Sequence, residues 1–112
     1  MAETARYTPL ASSARTTSGQ SAGLELFLYE EAIFFLNVTA VSGTTPTLDV
    51  SLDYSPDGTN WFPSGIVFTQ ITANAMQLKT ITTFGRFVRI NYVIGGTTPS
   101  FTFIMDVVAK NF

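Results

Sequence analysis

Any catalysis on this chain would have to come from carboxylates, lysine, tyrosine or hydroxyls, because it contains no histidine and no cysteine. That removes the usual general base, the thiolate nucleophile and the commonest transition-metal ligands. Asp49 and Asp53 share one face of a strand-like run from Leu48 to Tyr54. Four residues at ~3.4 Å each set them ~13 Å apart, too far for the carboxylate pair of a glycosidase. Glu30-Glu31 reads as a solvated turn doublet. Asp57-Gly58-Thr59-Asn60, together with Asp53, has some of the oxygens of a Ca²⁺ loop. It lacks the D-x-D-x-D-G run and the closing bidentate Glu. No catalytic residue, metal ligand or cofactor is assigned, and a non-enzyme is expected.

The remaining chemistry is recognition. Trp61, just after a turn, is either a plug at the edge of the fold or a platform for stacking on sugar. In the second reading Tyr54 adds another ring, and Asp57 and Asn60 bond hydroxyls, so these four form a candidate glycan site.

The elements that must position these groups are strands. From Gly23 onward, apolar runs recur at short spacing with no helical period: 23–29, 32–41, 47–54, 60–71 interrupted at Pro63-Ser64-Gly65, 75–81, 86–94 and 100–110. Ser55-Pro56-Asp57-Gly58 has turn chemistry, and Phe84-Gly85 leads into the sixth run. Seven short strands predict an all-β fold, an antiparallel β-sandwich of jelly-roll or immunoglobulin-like type. Pro63 marks an edge strand or a bulge.

One pentapeptide occurs twice. Gly43-Thr44-Thr45-Pro46-Thr47 returns as Gly96-Thr97-Thr98-Pro99-Ser100, 53 positions on, and each copy lies between apolar runs. This pattern predicts two β-hairpins. The strands after the two copies match in phase, with Leu48, Val50 and Leu52 against Phe101, Phe103 and Met105. The strands before them do not, and a β-bulge in one would account for the slip.

Residues 1–22 differ from the body at 23–112. They are rich in Ala, Ser and Thr and show no period. They are expected to form a flexible tail, or an arm ordered on a partner through Arg6, Tyr7, Leu10 and Arg15. No apolar stretch reaches the ~18 residues of a membrane span or forms the h-region of a secretion signal. The net charge of −2 and six scattered basic residues argue against nucleic acid as a partner. Charged residues are 12% of the chain, about half the usual ~25%, which points to a surface partly covered by a partner. Two strands are apolar on both sides, Phe34-Phe35-Leu36 and the last strand with Ile104 and Val108. Phe34, Ile104 and Val108 are therefore expected at a subunit interface.

Two resemblances attach to these residues. Ser55-Pro56-Asp57-Gly58-Thr59-Asn60-Trp61 and Gly85-Arg86-Phe87-Val88-Arg89-Ile90 resemble the S-x-D-G-x-x-W and A-R-Y-V-R-I elements of discoidin-like glycan-binding jelly rolls. Over residues 23 to 110, the two G-T-T-P segments, the S-P-D-G-T-N-W turn and F-G-R-F-V-R-I look like small all-β virion proteins of tailed bacteriophages. That resemblance implies a capsid decoration (cement) protein on the outer surface of the head, assembled in the host cytoplasm. It also implies the major capsid protein as partner and a homo-oligomer, with a trimer favoured. A neck or tail location is the variant of the same reading.

Overall fold

A computed structural model describes residues 4–82 and 86–111, and the Phe84-Gly85 lead-in lies outside the described residues. The fold is all-β and antiparallel. Its strands are β1 (Thr4–Arg15), β2 (Gly19–Gln20), β3 (Leu24–Glu25), β4 (Glu31–Ser55), β5 (Phe62–Val67), β6 (Ala75–Ile81) and β7 (Phe87–Lys110).

Two of these strands run through the G-T-T-P segments rather than turning at them. β4 and β7 pair with each other almost end to end, from Glu31↔Lys110 to Ser55↔Phe87. The expected hairpins are therefore absent, and each repeat is a bulge inside a long strand. Gly43 and Gly96 share φ +112°, and Thr45 and Thr98 share φ +47°. The two bulges lie against each other. A Cβ on Gly43 would sit 2.8 Å from Pro99 Cα, and one on Gly96 would sit 2.9 Å from Pro46 Cα. Glycine is required here by φ and by the close approach of backbone. The turn residues do bend the chain, but each segment is captured by its distant twin before it can reverse.

The β4–β7 ribbon folds back on itself. Twenty-five residues at ~3.3 Å would span ~80 Å if straight, whereas the molecule is 48 Å in its longest dimension. The ends of β7 are tied by one short loop: Leu26 N–H donates to Arg86 O and Glu30 N–H to Lys110 O, both at 3.0 Å. The result is a sandwich with one continuous ribbon in both layers. The front layer runs β1, the second half of β7, the first half of β4, β6. The back layer runs β5, the second half of β4, the first half of β7, then β2 and β3.

An approximate two-fold through the crossed bulges exchanges the layers: β4 with β7, β1 with β5, and β2–β3 with β6. Thr39 is an extra residue in β4, where the register shifts between Val38 and Ala40. That bulge is the source of the phase slip. It aligns Phe34 and Leu36 with Val88 and Ile90, all buried. The core lies between the layers. Phe34, Leu36, Phe101, Phe103 and Met105 come from the front, and Leu48, Val50, Leu52, Val88 and Ile90 from the back.

The N-terminal arm is part of the body. Thr4–Arg15 pairs with β7 from Thr4↔Lys110 to Arg15↔Phe101. The boundary expected near residue 22 does not separate it from the sandwich. Leu10 is buried in the core, and the Arg15 guanidinium donates to Phe103 O (2.8 Å) and Ala11 O (2.7 Å) while lying 4.4 Å from the Phe103 ring centroid. The register breaks on both sides of Leu10 erase the alternation that would have announced a strand.

Candidate functional site

Among the described residues the acidic groups are already engaged. Asp53 pairs with Arg89 (3.0 Å), Glu31 with Lys110 (3.1 Å) and Glu25 with Arg86 (2.8 Å). The Gln70 amide donates to both oxygens of Asp49. Among the described residues, no three acidic side chains gather closely enough to hold a metal ion.

The four residues of the candidate glycan site build a turn and a plug. Asp57 Oδ1 accepts from the N–H groups of Thr59 (2.8 Å) and Asn60 (2.9 Å) and from the Ser55 hydroxyl (3.0 Å). Asp57 Oδ2 accepts from Asn60 Nδ2 at 2.8 Å. These donors, led by the Asn60 and Thr59 amides, hold the Asp57 carboxyl well below the usual carboxylate range. Both oxygens are thus committed within the turn. Trp61 has the Arg89 guanidinium 4.6 Å from its ring centroid, and its edge touches Gly23, where a Cβ would lie 2.9 Å from the indole. One face of the would-be platform is covered by an ion-paired arginine. Burial pushes the Tyr54 phenol upward in pKa.

The interface candidates separate into core, lock and surface. Phe34 is 0% exposed and belongs to the core, a correction set by the Thr39 bulge, which fixes the phase of β4. Its neighbour Phe35, 38% exposed, occupies the outer face. Leu10 and Arg15 fasten β1 as described. The Tyr7 phenol donates to Tyr29 Oη (3.4 Å), a bond that raises its pKa.

Arg6, Ile104 and Val108 come together on the outside of the front layer. There they line a concavity of about 530 Å³ with Phe35, Met76 and Leu78. The pairings Phe35↔Leu78, Asn37↔Met76, Asn37↔Ile104 and Ile33↔Val108 place these side chains on one face. Met76 is 79% exposed and Leu78 57%. The charged margin of this face is Asp106, which accepts from Arg6 Nη2 (3.2 Å) and Thr8 Oγ1 (2.7 Å).

The back layer provides an internal comparison. The approximate two-fold carries Ile104 onto Ser51, Asp106 onto Asp53 and Phe35 onto Arg89. Its outer face carries side-chain hydrogen bonds, Arg89 to Asp53 and Gln20 to Asn91 (3.1 Å). Two layers of one plan therefore differ in chemistry: the back face combines these polar pairs with exposed Val67 and Val93, and the front face gathers the larger apolar side chains Phe35, Met76 and Leu78.

Sequence reasoning missed Phe35, Met76 and Leu78. In β6, Met76 and Leu78 alternate with Gln77 and Lys79. The large apolar side chains point out, and Gln77 and Lys79 share the inner face with Leu36 and Phe34.

No protein-family model and no curated protein sequence matches the chain. Among solved structures it is similar to the SPBc2 prophage-derived protein YomS, at 8% identity and a TM-score of 0.60, over 99% of this chain and 96% of that one. It is also similar to the PBSX exported protein XepA, at 13% identity and a TM-score of 0.60, over 97% of this chain. There it spans only 36% of the larger protein. At these identities the likeness is one of fold.

Proposed function

We propose that the chain is a non-enzymatic structural protein of a tailed-phage particle, a decoration protein that binds the major capsid protein on the outer surface of the head. The observation that carries this reading is the open apolar face of the front layer, set against the hydrogen-bonded face of its pseudo-symmetric twin. A body with few charges keeps such a face when another subunit covers it. The likeness of fold to a prophage-derived protein supports a phage setting. The resemblance over residues 23 to 110 supports the head.

Such a protein needs two contacts, one with its own copies and one with the shell. The front face serves the first. For the second, the body offers Phe27 and Leu28, exposed in the loop that ties the ends of β7, with Arg86 5.1 Å from the Phe27 ring. Incubating the purified protein with emptied phage heads and sedimenting them tests the reading. Co-sedimentation is expected for the wild type and should fall at least tenfold for Leu28→Asp. A protein that stays in the supernatant at every concentration would overturn the decoration role.

A further inference from the structure

We infer that the front face is covered by a second copy of this chain, packed layer against layer about a two-fold axis that runs across the strands. The inference rests on reading that face as an assembly surface. It does not depend on the shell contact.

Strand addition at an edge is blocked on every side. β1 carries Pro9 and two register breaks. β5 carries Pro63, Gly65 at φ +85° and a register shift opposite Ser51 and Asp53. β2 and β3 have two residues each. β6 is regular, but its Lys79 points inward beside Phe34. A strand added there would trap the ammonium group away from water, a recognised guard against edge pairing. A partner must therefore come to the face.

The area fits a modest dimer. Four strands ~4.8 Å apart and about eight residues long cover ~500 Å² per copy, so two facing copies bury ~1,000 Å², the lower limit for a specific interface. The arrangement of side chains selects the axis. Apolar Met76 and Leu78 lie along the β6 margin, and Arg6 with Asp106 along the β1 margin. An axis along the strands would lay Met76 of one copy on Arg6 of the other. An axis across them lays each margin on its like, with the strands reversed. Leu78 and Phe35 then meet their own counterparts, and Asp106, the cross-strand partner of Phe35, faces its own counterpart with the ion-paired Arg6 of each copy beside it. The facing layers interdigitate ~10 Å apart, as in the sandwich itself. The hydrogen-bonded back faces remain outward, in water.

Light scattering on the purified full chain tests this. Mass should rise from one copy toward two between about 1 and 200 μM, the range of a weak interface of this size. Leu78→Lys and Phe35→Lys should remain single copies throughout with unchanged thermal unfolding. Asn91→Lys, on the back face, should behave as wild type. Because the chain has no cysteine, Leu78→Cys supplies one thiol, and mild oxidation should link most of the protein into disulfide dimers while Asn91→Cys does not. A wild type that stays single at the highest concentration, a closed trimer, or association indifferent to Leu78→Lys would each overturn the inference. A dimer that ignores phage heads would sink the decoration role and leave this inference standing. A single copy that binds them would do the reverse.

Discussion

Gly43 and Gly96 occupy equivalent places in a crossing of two strands, each pressed against the Thr-Pro backbone of the other's repeat. The space left for a Cβ at Gly43 ends 2.8 Å away at Thr98 O and Pro99 Cα, and at Gly96 it ends 2.8 Å away at Thr45 O. Nothing there is the movable end of a side chain. Alanine at either position would have to force two backbones apart while holding a left-handed φ. The combined cost is about 2–4 kcal/mol per substitution. Gly65 has a positive φ but open space around it, so Gly65→Ala should cost only about 1 kcal/mol. Urea unfolding of the three variants checks this. Equal losses for all three would show that φ, and not the crossing, sets the penalty.

The same crossing shows how far the sequence could be read. The inner face of the back layer was legible because Leu48, Val50 and Leu52, and Val88 and Ile90, alternate cleanly with polar residues. The Thr39 bulge was legible as a slip between two repeat halves. The G-T-T-P segments misled because Gly, Thr and Pro have the same local preferences in a hairpin turn and in a bulge. What decides between them is a partner 53 residues away, and no local preference encodes it. β1 was hidden for a related reason. Its pairing energy comes from β7, and its two register breaks remove the period-2 signal. At the candidate surface, Phe34 and Phe35 are indistinguishable by type. Their opposite fates follow from strand phase, which the bulge downstream sets.

Asp57 gives the fold a measurable acid response. Its folded pKa is depressed by the amides of Asn60 and Thr59, so the turn contributes stability that is full above the unfolded value of about 3.9. That contribution is lost as pH falls through the folded value. Below about pH 4, the wild type should therefore lose stability more steeply than Asp57→Asn, and the gap between the two should narrow as acid is added. Thermal melts from neutral pH downward measure the gap. Carboxyl-carbon NMR should show Asp57 still ionised below the usual carboxylate range. An Asp57 that titrates at the ordinary aspartate value of about 3.9 would refute the assignment.

Lys79 is the residue that keeps β6 an edge. It lies on the inner face at the level of Phe34, while Met76 and Leu78 already project outward on the same strand. Replacing it with leucine would make β6 a seven-residue strand with no proline, bulge or charge. The free row of N–H and C=O groups would then be open to another copy. Lys79→Leu should keep or slightly raise thermal stability, because it puts an apolar side chain in place of a half-buried lysine on the inner face. It should nevertheless associate beyond two copies, with extra β-sheet signal and rising light scattering over hours. Combining it with Leu78→Lys separates the two surfaces. The face-to-face contact is then lost, and any association that remains runs through the β6 edge alone. If Lys79→Leu shows the same mass as wild type at every concentration, the edge is guarded by something other than this charge.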